Sequence, residues 1–274
     1  LYVQKAREII DRAGVDELII EDASGVLTPE RAATLVPALK KEIGDMPLGL
    51  HMHSLVGLPQ RTYLEAVKHG VDNLYCCVWP VADGNAPPAV QTTVRNLRYA
   101  GYEVTVNDQA VDEISRHFEE QAFLHDKPIG EVQDFDLAHF DHQIPGGVLS
   151  NLGSQLREVG LEHKLPYVLE ECGRVREDLG WPIQVTPFAQ FLAVQGTFNA
   201  IHGDRYSVVP DEIKKYALGY FGKHLSPVDP NVMDRIVESG SKNISVEIPE
   251  LEPAVDHLRK RYPDLSDEER FLRY

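Results

Sequence analysis

Cysteine is scarce in this sequence: Cys76, Cys77 and Cys172 are the only three in 274 residues, too few for a disulfide framework. Adjacent Cys76 and Cys77 read instead as strand residues pointing to opposite faces, and the expected compartment is a reducing one, the cytoplasm. No apolar run approaches the ~20 residues of a membrane span and no signal peptide is visible, so direct membrane insertion is not expected. Positive charge is also short. Lys and Arg number 27 against 43 Asp and Glu, and the resulting formal charge of -16 argues against nucleic acid and anionic membranes as partners. That field says little about a small anionic substrate, which a local metal ion or arginine would attract regardless. Tandem repeats and low-complexity stretches are missing too. What remains has the charged and apolar fractions of an ordinary globular protein, long enough for one large or two modest domains.

The opening hundred residues repeat a pattern. An amphipathic stretch at Val3–Ala13, with Val3, Ala6, Ile9, Ile10 and Ala13 on one face, leads through Gly14 to an apolar strand at Glu17–Ile20. Thr28-Pro29 supplies an N-cap and first helical position for a helix running to about Ile43. A strand follows at Leu48–His53, a helix near Thr62–His69, a strand at Asn73–Val78 and, after a Pro/Gly-rich loop, a helix at Ala89–Ala100. Strands alternating with amphipathic helices predict a parallel α/β sheet or barrel. Three βα units cannot close an eight-stranded barrel, and Leu1 enters the helical pattern at once. The expectation is a piece of a longer protein, which ends equally abruptly at Phe271-Leu272-Arg273-Tyr274. Beyond about residue 105 helices dominate, at roughly Gln109–Leu124, Leu149–Glu158, Pro166–Leu179, Phe188–Ala200, Asp211–Gly219 and Ala254–Lys260. The expected division is therefore an α/β part over residues 1–105 and a mainly helical domain over 106–274.

The sharpest chemical signal is His51-Met52-His53 at the end of a strand. Residues i and i+2 share a face, so both imidazoles point the same way at the carboxyl end, where a βα barrel holds its active site. Such a pair suits Zn²⁺, Mn²⁺ or a similar ion, although it equally suits two polar residues satisfied by backbone and water. Glu21-Asp22 closes the neighbouring strand and adds a carboxylate on the same rim; alone, it reads as a solvated loop start. Phe140-Asp141-His142-Gln143-Ile144-Pro145-Gly146-Gly147 offers glycines for positive φ or close approach and precedes Ser150-Asn151, a helix start that would favour an anion. Thr186, in the extended Trp181–Pro187, reads as an N-cap of the following helix, which carries Gln190, Gln195 and Asn199.

Together, Glu-Asp-Ala-Ser-Gly-Val-Leu-Thr-Pro (21–29), Leu-His-Met-His-Ser (50–54), His-Gln-Ile-Pro-Gly-Gly-Val-Leu-Ser-Asn-Leu (142–152), Arg-Val-Arg-Glu-Asp-Leu-Gly-Trp-Pro (174–182) and Val-Thr-Pro-Phe-Ala-Gln (185–190) resemble the carboxyltransferase component of biotin-dependent enzymes. That group includes pyruvate carboxylase, the oxaloacetate decarboxylase α subunit and transcarboxylase. The resemblance spans nearly the whole chain, and Gln143 with Gln190 leans toward the decarboxylase α subunit. It implies the closing βα units of a TIM barrel followed by a helical carboxylase domain that forms a funnel over the barrel mouth. It also implies a divalent metal, Zn or Mn, on His51 and His53, which acts as Lewis acid on the keto acid, and biotin on a carrier domain outside this chain. Thr186 matches the threonine that relays a proton between biotin and the enolisable carbon, and Gln190 falls at the biotin side. Implied partners are a keto acid such as pyruvate or oxaloacetate, a biotin carboxyl carrier and further copies of the chain.

Two departures from the family pattern fall at the barrel mouth. Glu21 stands where relatives place a carbamylated lysine; it keeps a carboxylate on a shorter stem, and is the candidate third metal ligand. Tyr75-Cys76-Cys77 and Asp83–Pro88 replace Asp-Thr-Ala and Gly-Gly-Thr-Ser-Gln-Pro. The residues leave two other readings open: a biotin-independent lyase, aldolase or decarboxylase on the same barrel, and a non-catalytic homologue.

Overall fold

The computed structural model describes residues 1–241, 244 and 253–272, so the last two residues of the expected chain end, Arg273 and Tyr274, lie outside it. Its first part is three parallel βα units. Helix α1 (Tyr2–Ala13) precedes β1 (Leu18–Asp22); α2 (Pro29–Ile43) leads to β2 (Leu48–Met52), and α3 (Pro59–Lys68) to β3 (Asn73–Tyr75), followed by α4 (Val90–Tyr99). The strands pair in the order β1-β2-β3, with Glu21 in register with His51 and His51 with Tyr75. Each strand therefore contributes one residue to a single row across the sheet.

Alternation decides which residues are buried. Leu48, Leu50 and Met52 point to one face and pack, almost wholly buried, against α2 and α3 through Val36, Leu39, Tyr63 and Ala66. Truncating Leu50 to alanine in such a core costs about 2–5 kcal/mol. Glu17, Ile19, Glu21, Gly49, His51 and Tyr75 fall on the other face, which is open: Ile19 is 47% exposed. Helix α2 begins as its sequence predicts, with Thr28 Oγ1 accepting from Arg31 N at 3.2 Å and Pro29 in the first turn.

Several limits differ from the sequence expectation. β1 runs to Asp22, which puts Glu21 inside the strand. β3 stops at Tyr75 because the buried Tyr63 hydroxyl inserts at the strand ends, accepting from Met52 N at 3.2 Å and donating to Tyr75 O at 2.7 Å. Beyond it Cys77 bridges Ala89. Cys76 nevertheless packs toward the core, as alternation requires, and burial pushes its thiol up to about 11. On α1, Val3, Ala6 and Ile10 meet the core, but Ile9 stays outside.

The remainder is helical: α5 (Asp108–Leu124), α6 (His139–His142), α7 (Gly146–Glu158), α8 (Leu165–Asp178), α9 (Phe188–His202), α10 (Asp211–Ala217), α11 (Pro230–Glu238), α12 (Ala254–Arg261) and α13 (Asp267–Phe271). Helix α7 starts at Gly146, earlier than the Ser150-Asn151 reading placed it, and neither glycine there has positive φ. The left-handed residue is Gln143 at φ 52°, while Gly146 serves close approach: a Cβ on it would lie 2.6 Å from Asn85 Oδ1. α8 and α9 pack closely, Gly196 allowing α9 to meet Cys172. Glu171, 1% exposed, joins them to the next loop by accepting from Arg174, Arg205 and Asn199.

The two parts are stitched together beside the ends of the strands. Ser24 Oγ donates to Gln143 O at 2.6 Å, His139 Nε2 lies 2.7 Å from Ser24 O, and Asn85 Nδ2 donates to Ser150 Oγ. Gly130 N donates to Pro80 O at 2.8 Å, in a contact so close that a Cβ on Gly130 would fall 1.6 Å from Ala82 O. No helix among the described residues is long and apolar enough to cross a membrane.

Candidate active site

The site grows from the carboxyl ends of β1 and β2. Asp22 points inward and is buried; its Oδ2 accepts from Leu27 N at 2.6 Å, so it builds the turn after β1 and is not a free ligand. Burial pushes its pKa up, against the pull of the backbone N–H groups of Leu27, Val26 and Gly25. Asp22 O accepts from His53 N at 3.1 Å, which continues the ladder one residue past β2. Gly25 takes φ 66° in this turn; a Cβ there would lie 2.6 Å from His53 O. The turn is therefore what places His53 above the end of the strand.

The His51 and His53 rings stand side by side, their centroids 5.1 Å apart. Burial lowers the pKa of His53, with His51 adding to the effect and the Asn85 backbone opposing it, so His53 is neutral at physiological pH. Its Nδ1 is buried and has no hydrogen-bond partner, and in the tautomer with the proton on Nε2 it presents the lone pair a metal requires. The donor chemistry thus fits a divalent ion. Glu21 is at the register level of His51 on the next strand, although among the described residues no three His, Cys, Asp or Glu side chains converge as a complete ligand cluster.

A cavity of about 540 Å³ brings four of the five predicted residues together, with His51 outside its lining: Glu21, Ala23 and His53 come from the strand ends, Pro145, Gly147, Val148 and Asn151 from the start of α7, and Val185, Thr186 and Gln190 from the start of α9. The first turn of α7, with no side-chain cap, forms one wall, and free backbone N–H groups at a helix start suit a carboxylate. Thr186 is not the N-cap that the sequence suggested: Pro187 occupies that position. The Thr186 hydroxyl accepts from Gln190 Nε2 at 3.2 Å instead, which leaves its own proton to donate into the cavity. Gln190 Oε1 is buried and unpartnered. The sequence pointed to Pro-Gly-Gly and the helix start at Ser150-Asn151 as a ligand-facing segment, and the cavity lining includes Asn151; what it missed is that the helix begins at Gly146, so Gly147 and Val148 join the wall.

A partial βα barrel with donors at its strand ends, roofed by helices, defines the class: a barrel enzyme whose site is completed by a following helical domain. The sequence matches the family described as HMGL-like over residues 2–117 and the conserved carboxylase domain over residues 140–274. By this pairing the chain belongs to the carboxyltransferase family of pyruvate carboxylase and its relatives. It is 34% identical over 255 residues to a pyruvate carboxylase subunit of Methanocaldococcus jannaschii, an alignment covering 92% of this chain and 44% of that protein. The methylmalonyl-CoA carboxyltransferase 5S subunit of Propionibacterium freudenreichii subsp. shermanii is 31% identical over 246 residues, 89% of this chain and 48% of that one. The carboxyl transferase domain of Rhizobium etli pyruvate carboxylase, solved with pyruvate, shares the fold with a TM-score of 0.81 at 22% identity, over 98% of this chain and 47% of that domain. The chain thus spans under half the length of these relatives.

Proposed function

We propose that this chain carries the carboxyl-transfer site of a biotin-dependent enzyme that moves a carboxyl group between biotin and a keto acid such as pyruvate or oxaloacetate. The observation that carries this reading is the cavity in which Glu21 and His53 face Thr186 and Gln190. His51 and His53 would hold a divalent ion, with Glu21 as a third carboxylate donor. When bound, that ion would supply Lewis-acid polarisation of the keto group. Thr186 accepts a hydrogen bond from Gln190 and keeps a free O–H, so it can pass one proton between two partners across the cavity without changing its own charge. Gln190 offers an unpartnered amide oxygen to the N–H of a ureido ring. The α7 amino end favours the carboxylate of the substrate.

The names of these relatives favour the carboxylating direction with a keto acid as acceptor, over the decarboxylase suggested by Gln143 and Gln190. A biotin carrier and further copies of the chain are the proposed partners. The division expected at residues 105 and 106 falls in this scheme just past α4, which closes the last βα unit. Further βα units of the full-length protein would pair with β1 and cover the open face of the sheet.

The test is carboxyl transfer from a biotinylated carrier to pyruvate by the full-length protein. Transfer that requires both the carrier and a divalent ion supports the reading. Turnover of a keto acid without any biotin would move the chain to the lyase alternative.

A further inference from the structure

Tyr75 occupies an unexpected place. It is in register with His51 on the adjacent strand, yet its ring extends across the sheet toward β1. The ring centroid lies 6.2 Å from that of His51, at an interplanar angle of 46°. Its hydroxyl reaches Glu17 Oε2, just before β1, at 3.5 Å, while Glu17 Oε1 accepts from Asn73 Nδ2 at 2.7 Å. The ring crosses β2 at Gly49. A Cβ on Gly49 would come within 2.9 Å of Tyr75 Cε2 and 2.9 Å of Glu17 Oε1. Only a residue without a side chain lets the ring lie there. The backbone of Tyr75 is held as well, because its carbonyl accepts from the buried Tyr63 hydroxyl.

From this arrangement we propose that Tyr75 is a positioning residue: its ring, seated over Gly49 and tethered by Glu17, holds the His51 imidazole in its metal-binding orientation. The inference rests on His51 and His53 being a metal pair. An imidazole at a strand end has free χ1 and χ2 rotation unless something packs beside it, and a ligand left to rotate loses affinity through the entropy of being fixed. Tyr75 flanks His51 from the adjacent strand while His53 flanks it along its own, so the His51 ring is confined between two others. The hydroxyl tether is a secondary support, since 3.5 Å is a weak bond.

The test uses Mn²⁺ titrated into chelator-stripped full-length protein, with binding followed by loss of the free-ion paramagnetic resonance signal. Tyr75→Phe keeps the ring and should stay within about threefold of wild type. Tyr75→Leu keeps bulk without the flat ring, Tyr75→Ala removes both, and Gly49→Ala drives the ring from its seat; each should weaken Mn²⁺ binding about tenfold or more. Thermal melts establish which variants are folded, and if Tyr75→Ala is not, Tyr75→Leu and Gly49→Ala decide. Wild-type Mn²⁺ affinity in folded Tyr75→Leu, while His51→Ala loses the ion, would overturn the positioning role and leave the proposed function standing. Wild-type affinity in His51→Ala would overturn both.

Discussion

At the scale of single residues, burial and partner geometry sort the candidates. Glu21 and Asp22 are neighbours in sequence with opposite fates: Asp22 turns inward to build a turn, while Glu21 faces the cavity. Strand alternation made that split legible once the strand end was placed, but the sequence alone could not say that β1 extends through both. Thr186 shows the reverse case. A threonine before proline at a helix start looks like an N-cap, and only the three-dimensional path shows its hydroxyl turned to Gln190. The sequence put Tyr75 at the barrel mouth but not across the sheet, because its seat depends on Gly49 and Glu17 from two other segments. Glu21→Gln preserves shape and removes charge, and is expected to weaken metal binding about tenfold in full-length protein without altering its melting temperature. Metal content by mass spectrometry checks this; an unchanged content makes Glu21 a bystander.

At the scale of elements, periodicity located the three strands and the helices up to α5 well, most clearly where a face is buried, as in β2, α2 and α3. The short α6, α11 and α13 escaped notice, while α10 and α12, of seven and eight residues, did not; at four to nine residues the period is too brief to decide reliably. The contacts joining the two parts were also illegible, because they are single hydrogen bonds and glycine approaches between residues far apart in sequence. Gly130 is the clearest. Gly130→Ala would drive its Cβ into the Ala82 carbonyl, and the segment after α5 must shift to relieve it. The expected cost is about 2–4 kcal/mol, read as a lower urea midpoint. A Gly160→Ala control tests a glycine whose Cβ meets nothing within 4 Å but whose φ is 73°, so it isolates backbone strain, about 1 kcal/mol. Equal midpoints for the two variants would remove the close approach as a source of stability.

At the scale of the whole molecule, the joint between the two parts is sensitive to acid. His139 and His142 are both buried at that joint, their rings 4.8 Å apart, and His142 Nδ1 accepts from Ile144 N at 3.0 Å. Burial, with His139 adding to it, pushes the His142 pKa down to about 4, and burial lowers that of His139 as well. In the unfolded chain these rings take up protons below about 6.5. Between there and about 4 the unfolded state binds more protons, so stability is full above pH 6.5 and falls as pH drops through that window. For His142 the loss is roughly 3 kcal/mol at most. Denaturation midpoints at pH 7.5 and 4.5 should converge more closely in His142→Asn than in wild type; an identical pH dependence would show that His142 does not drive the loss. Among the described residues β1 also has an unpaired outer edge, so the isolated 274-residue chain is expected to be poorly soluble.

The central claim is that the strand ends of the partial barrel and the start of α9 act as one carboxyl-transfer site, and a paired measurement tests it most directly. Carboxyl transfer between a biotinylated carrier and pyruvate, together with bound metal, is measured on the same samples of full-length wild type, His53→Ala and Thr186→Ala. Both variants are predicted to lose transfer by at least about a hundredfold, the scale of a lost proton-transfer group, and only His53→Ala to lose its metal. Wild-type transfer in Thr186→Ala, or a full complement of metal in His53→Ala, would contradict it.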